Sequence, residues 1–232
     1  MSLRRYPFSQ IMNMRDIGGY PVPGGQIAYK KFFRSAAPLG FTEEEERLLQ
    51  GFPLTDVIDL RGSAEVEQAP NAFEKNREII LHHISFMGNI KDYPKSDDFV
   101  PTSYLQVAED SNMLQVLRVC LRAKGAVLFH CSAGKDRTGT VAALLEMLAG
   151  ADDDDIVGDY ILSQAYMRRQ LEIFAKERPY FPMCLIYPRI ENIEGFLRLF
   201  HEKYETPQAY FQKIGLSESE IRDLKEKLTD NT

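Results

Sequence analysis

Cys131 and Arg137 bracket five residues within Val127-Leu-Phe-His-Cys-Ser-Ala-Gly-Lys-Asp-Arg-Thr-Gly-Thr-Val141, a buried strand that runs through a tight loop into an apolar helix. With Gly134 inside it, that loop curls into a nest of inward-pointing backbone N–H groups, and the following helix turns its N-terminus to the same point. A phosphate dianion fits such a cradle, with Ser132, Ala133, Gly134 and Lys135 supplying its wall. The field that holds phosphate also favours the thiolate of Cys131 over its thiol, which makes this cysteine a nucleophile. Arg137 holds two phosphate oxygens with its planar fork, a task for which the point charge of a lysine is less suited. Thr138 is placed to donate its hydroxyl to the sulfur and ease the thiolate's departure in a second step.

A lone cysteine after an apolar strand is more often a buried, inert thiol. The complete string His130-Cys131-x5-Arg137-Thr138-Gly139 is what reverses that reading, whereas Cys120 and Cys184 lack such neighbours and read as inert. His82, His83 and His201 read as packing or surface residues, because no second metal ligand stands at helical or hairpin spacing from them. Gly134-Lys135 does not complete a nucleotide-binding loop: Phe129 occupies the required upstream glycine position and Asp136 replaces Ser/Thr. Nor is Ser132 a nucleophile elbow, since His130 stands where a glycine is needed.

The elements that must position this loop are legible in outline. Thr42 with Glu45 forms a capping box for a helix through Leu49 that Gly51 and Pro53 end. Leu54–Leu60, Glu78–Ile84 and Gly125–His130 are short apolar runs of buried-strand type. A polar loop (87–99) and a helical stretch near Tyr104–Ala123 separate the last two. Such an alternation predicts an α/β fold with a central, largely parallel sheet flanked by helices. Helical patterns follow at Thr138–Leu148, Asp153–Met167, Arg168–Lys176, Arg189–Lys203 and Glu218–Leu228, the last with a Ser217/Glu220 capping box. They predict a helical C-terminal layer, in which Phe174, Tyr180 and Phe181 are expected in the core rather than in a lid.

The 232 residues, 44% of them hydrophobic and 27% charged, suit one ordinary globular domain over residues 1–232 with no repeat or linker. A net charge of −6 opposes binding to nucleic acid, so an anionic ligand must be caught by a local pocket. Three cysteines without a CxxC pair speak against a disulfide framework, and acid runs such as Glu43–Glu46 and Asp152–Asp155 read as first helical turns rather than metal sites. No stretch reads as a secretory signal or a membrane span, so the expected compartment is the cytoplasm, export being left only to a route without a cleaved signal.

The string His130–Gly139 resembles the signature of cysteine-dependent protein tyrosine phosphatases, and its Gly-Lys-Asp-Arg-Thr variant is similar to their microbial tyrosine/lipid branch related to dual-specificity enzymes. Asn13-Met-Arg-Asp-Ile-Gly-Gly-Tyr20, Phe33-Arg34-Ser35 and Asp59-Leu-Arg61 with Glu65 resemble that branch's N-terminal half. Ile156-Val-x-Asp-Tyr-Ile-Leu-Ser163 and Leu216-Ser-Glu resemble its C-terminal half, so the likeness spans nearly the whole chain.

The resemblance implies a tyrosine-phosphatase-like fold and a two-step reaction without metal or cofactor: attack by Cys131 on phosphorus, then hydrolysis of the thiophosphate. The implied substrates are phosphorylated proteins or phosphoinositides, with phosphoserine and phosphothreonine within range. A general acid must protonate the leaving oxygen. The larger tyrosine phosphatases carry theirs on a Trp-Pro-Asp loop, but this chain has no Trp. Asp136 within the loop is favoured, against Asp92, Asp97 and Asp98. The family pattern also suggests that Asp59, Arg61 and His130 brace the phosphate loop, and it puts Asn13, Arg15 and Asp16 at the site's mouth. Lys135 adds a cation, which suits either a second phosphate on the ligand or any phosphate at all. Two other classes share an anion-binding thiolate loop: a phospho-ligand binding module, recognised by binding without phosphate release, and a sulfurtransferase, recognised by thiosulfate turnover.

Overall fold

The computed structural model describes residues 4–6, 8–86 and 99–231. Along the chain run β1 (Arg15–Asp16), β2 (Pro21–Val22), β3 (Gly25–Ile27), β4 (Phe32–Ser35), α1 (Glu43–Leu49), β5 (Leu54–Asp59), α2 (Ser63–Gln68), a 3-10 turn (Ala72–Lys75) and β6 (Ile80–His83). They are followed by α3 (Phe99–Ala108), α4 (Met113–Arg122), β7 (Ala126–His130), α5 (Asp136–Ala149), α6 (Asp153–Tyr166), α7 (Arg168–Glu177), α8 (Met183–Ile186), α9 (Ile190–Lys203), α10 (Pro207–Lys213), α11 (Glu218–Leu228) and β8 (Thr229–Asn231).

The main sheet has the order β1-β4-β7-β5-β6, with β4, β7, β5 and β6 mutually parallel and β1 antiparallel at one edge. Both faces are covered at β7 and β5, which is why these two read as nearly continuous apolar runs, whereas β6, expected as a buried strand, is a half-exposed edge strand with Ile80 60% exposed. Phe32, Val127, Ile58 and Phe129 enter the large core shared with α3, α5 and α9, while Phe33, Val57 and Leu128 pack on the opposite face against Ile11, Met14 and Phe73. Because the strands are parallel and in register, Ser35, His130, Asp59 and His83 form one row across their carboxyl ends. The phosphate loop leaves β7 from that row.

Beyond the loop, α5 is a firm mount: every residue from Thr138 to Ala149 is buried. Gly139 lets it approach α6 closely, since a Cβ there would lie 3.1 Å from the Tyr160 ring. A small antiparallel sheet, β2-β3-β8, ties the C-terminus to the N-terminal hairpin.

Both expected capping boxes form. The expected helical stretch at 104–123 is instead two helices, because Asp110 takes the Asn112 N–H at 2.8 Å and the chain turns there. Tyr180 is exposed rather than in the core, in the proline-flanked turn between α7 and α8, whereas Phe174 and Phe181 pack edge to face. The polar loop at 87–98, with Asp92, Asp97 and Asp98, lies outside the described residues.

Candidate active site

Cys131 is the first residue past β7 and is buried at the floor of the loop. The loop turns at Gly134, whose φ of +67° lies in the left-handed region and whose missing Cβ would fall 2.2 Å from the Ser35 carbonyl oxygen. Any larger residue would push the loop off β4. The chain then enters α5 at Asp136, so the positive end of a long buried helix faces the loop's concave side.

Arg137 lies in the first turn of α5 and is gripped by Glu65 of α2, its Nη1 at 2.7 Å from Oε2 and its Nη2 at 2.8 Å from Oε1. Glu65 also accepts from Ser132 Oγ and from the Gly62 N–H at 2.9 Å. Burial opposes ionisation of Glu65, but the hydrogen bonds from Arg137 and Ser132 outweigh it and bring the carboxyl down to about 2. Burial likewise opposes the charge on Arg137, and Glu65 together with the Cys131 sulfur more than restores it. The fork is therefore charged and fixed in orientation beside the cysteine. Glu65 appeared in the sequence only as part of a resemblance, and its role becomes visible once α2 is seen to bring it over the loop.

Thr138 is fully buried, and its hydroxyl has no hydrogen-bond partner among the described residues. His130, also fully buried, is pushed down to about 4 by that burial, against the opposing effect of Asp59 and the Cys131 carbonyl. It is a neutral imidazole whose partners assign its tautomer: Nδ1–H donates to the Cys131 carbonyl at 3.1 Å and Nε2 accepts from Asn71 Nδ2 at 2.8 Å. Asn71 also donates to Asp59 at 3.0 Å, and Arg61 donates to Asp59 through Nε at 2.9 Å and Nη2 at 2.6 Å. Burial of Asp59 is outweighed by Arg61 and its other donors, which hold the carboxyl at about 2. Asp59 and Arg61 thus reach the loop indirectly, through Asn71 and His130.

Asp136 accepts from the Tyr104 hydroxyl, which is 2.7 Å from that of Tyr160, and lies 3.4 Å from Lys135 Nζ. Burial and the neighbouring Asp136 carboxyl keep Tyr104 protonated, hence a donor. Lys135 turns its ammonium towards the end of α8, donating to the carbonyls of Leu185 at 2.7 Å and Ile186 at 3.1 Å. Asn13, Arg15 and Asp16 are buried, not at the mouth of the site. Asn13 and Arg15 join Arg34, Asp159 and Ser163 in a polar network packed against the loop. Cys120 is buried and pushed up to about 12, an inert thiol, and no cluster of metal-ligating side chains occurs among the described residues.

A sequence profile described as the tyrosine phosphatase family matches residues 6–230. The chain belongs to that family. Among curated relatives, a tyrosine-protein phosphatase of Nostoc commune is 32% identical over 217 residues, covering 85% of this chain and 74% of its own. The triple specificity protein phosphatase PtpB of Mycobacterium tuberculosis is 56% identical over 200 residues, 70% of each chain. Among solved structures, TpbA of P. aeruginosa in complex with pTyr aligns at a TM-score of 0.39 and 18% identity over 79% of this chain and 95% of its own. This phosphatase works through a cysteinyl-phosphate intermediate, as the family does. No helix among its described residues is long and apolar enough to cross a membrane.

Proposed function

We propose that the protein hydrolyses phosphotyrosine in proteins, with Cys131 as nucleophile, Arg137 as the clamp on the transferring phosphoryl group and Asp136 as general acid. The observation that carries this reading is the bidentate grip of Glu65 on Arg137 beside Cys131, at the N-terminus of α5. It fixes the guanidinium before any ligand arrives, so the charge that develops on the equatorial oxygens meets a preorganised donor.

Cys131 Sγ forms a bond to phosphorus as the bond to the leaving oxygen breaks, and Asp136 gives its proton to that oxygen. A phenolate leaving group has a pKa near ~10, so protonation assists its departure. In the second step Asp136 takes a proton from water, the water oxygen bonds to phosphorus, and the sulfur leaves as thiolate. That the Thr138 hydroxyl has no partner among the described residues supports its role as donor to that sulfur. The backbone of Ser132, Ala133, Gly134 and Lys135 walls the phosphate. The Lys135 side chain, tied to Leu185 and Ile186, supports a role in joining the loop to α8 more than one in holding a second phosphate.

The test is phosphate release from phosphotyrosine peptide, phosphoserine peptide and mono- and bis-phosphorylated inositol lipids, each with wild type and Cys131→Ser. Phosphotyrosine peptide is expected to turn over fastest and Cys131→Ser to abolish release. A preference for the lipids, or release that survives Cys131→Ser, overturns the reading.

A further inference from the structure

Five consecutive carbonyls of the phosphate loop are each tied to a donor outside the cradle. Cys131 O receives His130 Nδ1 at 3.1 Å, and Ser132 O receives the Ala37 N–H at 3.1 Å. Ala133 O receives Asn13 Nδ2 at 3.1 Å, and Gly134 O receives both Asn13 Nδ2 and Arg34 Nη2 at 3.0 Å. Lys135 O receives the Gly139 N–H at 2.8 Å and Arg34 Nη2 at 3.4 Å. Peptide units are planar, so pulling a carbonyl outward turns the N–H of the next residue inward. A row of outward carbonyls is thereby a row of inward donors.

Asn13 holds two of those carbonyls with one amide, and it is itself held with care. Its backbone is in the left-handed region at φ 59°, which Asn tolerates better than most residues. Its Oδ1 accepts from Arg15 Nη1 at 2.6 Å, so Nδ2 is the atom left facing the loop. Arg15 is anchored through Nε to Asp159 Oδ1 at 2.9 Å, and Arg34 donates to the other oxygen of the same carboxylate. Arg15, Arg34 and Asp159 are all fully buried, with both guanidiniums sharing the one carboxylate and Arg34 Nε left without a partner among the described residues. The common output of this cluster is a fixed set of donors on the back of the phosphate loop.

We propose that Asn13 is a positioning residue of the phosphatase reaction: it pulls the Ala133 and Gly134 carbonyls outward and so aims the Gly134 and Lys135 N–H groups at the phosphate and the Cys131 sulfur. The inference rests on the reading of Cys131 and its loop as the reaction centre. It assigns to the N-terminal segment, more than a hundred residues from the loop in sequence, a share of the oxyanion binding.

Two variants remove the donor by different routes. Asn13→Gly keeps the left-handed backbone and deletes the whole amide, including the Arg15 acceptor, without adding charge; Asn13→Asp keeps an oxygen for Arg15 but puts a carboxylate where the donating nitrogen was, so the donor's share is the effect common to both. Competitive inhibition by inorganic phosphate and the pH dependence of iodoacetate alkylation of Cys131 are measured well below each variant's unfolding temperature. The expected result is inhibition by phosphate at least tenfold weaker, with the alkylation midpoint moved to higher pH, in both variants. Phosphate inhibition within twofold of wild type and an unmoved midpoint in whichever variant folds would overturn the proposal, because a merely structural role lowers the melting temperature without altering either readout. Wild-type Cys131 that phosphate neither inhibits nor protects would instead overturn the reading of the loop itself.

Discussion

Replacing Gly134 by alanine is the sharpest small perturbation of this site. The added Cβ would lie 2.2 Å from Ser35 O, 2.3 Å from the Ser35 carbonyl carbon and 2.6 Å from Ala36 N, all backbone atoms at the end of β4. Ordinary van der Waals contact begins at 3.4 Å, so the loop or the strand end must give by about 1 Å. β4 is clamped in the sheet by β7, and Ala37 N–H holds the loop at Ser132, so the movement falls on the loop's donors. A 1 Å misplacement of catalytic groups costs on the order of 10²-fold in rate. Left-handed backbone at a non-glycine residue adds ~1–3 kcal/mol of strain. We therefore expect Gly134→Ala to fold with its melting temperature lowered, to lose about 10²-fold in kcat/KM on phosphotyrosine peptide, and to weaken in phosphate inhibition. Steady-state kinetics beside thermal denaturation read both effects. Activity within threefold of wild type would refute the claim that loop geometry is set by the contact with β4.

Arg137→Lys keeps the charge but loses the fork, and kcat/KM should fall about 10²–10³-fold with the fold intact; a loss under tenfold would deny the clamp its role. Asp136→Asn should slow release of phosphate from phosphotyrosine by about 10²-fold or more while sparing an aryl phosphate with a far more acidic phenol, and an equal loss on both esters would remove Asp136 as the acid. His130 is held neutral at about 4 in the fold against 6.5 when unperturbed. At this site the unfolded chain therefore binds more protons between these values, so the contribution of His130 to stability is fully present above pH 6.5 and falls by about 3 kcal/mol as pH falls to 4. Asp16, raised to about 6 by burial, titrates in the opposite sense in the same window, so urea denaturation reads the His130 share as the difference between wild type and His130→Gln; no pH-dependent difference between the two contradicts the neutral assignment. Asp59→Asn leaves the buried Arg61 without its carboxylate and should cost about 3–5 kcal/mol in the same assay, a loss below 1 kcal/mol showing that the pair does not brace the site.

The residues of the loop were legible because Cys131-x5-Arg137 is local: the spacing, the glycine and the strand-to-helix context all fit within one short segment. Leu54–Asp59 and Ala126–His130 were legible as buried strands for a similar reason, since a parallel sheet covered on both faces leaves an unbroken apolar run. The same holds for α1 and α11, whose Thr42/Glu45 and Ser217/Glu220 boxes announce their own starts. The strands β1 to β4 were not legible: they are two to four residues long, and β4 carries Arg34 in its middle, a charge that the distant, buried Asp159 helps make tolerable. What braces the loop was illegible for a deeper reason. Asn13 and Gly134 are 121 positions apart, Arg15 and Asp159 144, and nothing in either segment encodes the meeting. Sequence pattern tells which residues are buried, whereas satisfaction of buried polar groups is decided by where the fold brings them.

On the proposed mechanism Cys131 carries the phosphoryl group between the two steps. Wild-type protein mixed with phosphotyrosine peptide, quenched in acid within the first turnover and analysed by mass spectrometry should show one added phosphoryl group on the peptide that contains Cys131, absent in Cys131→Ser. Phosphate release at the wild-type rate with no adduct at any quench time, or with the adduct on a different residue, would contradict the account.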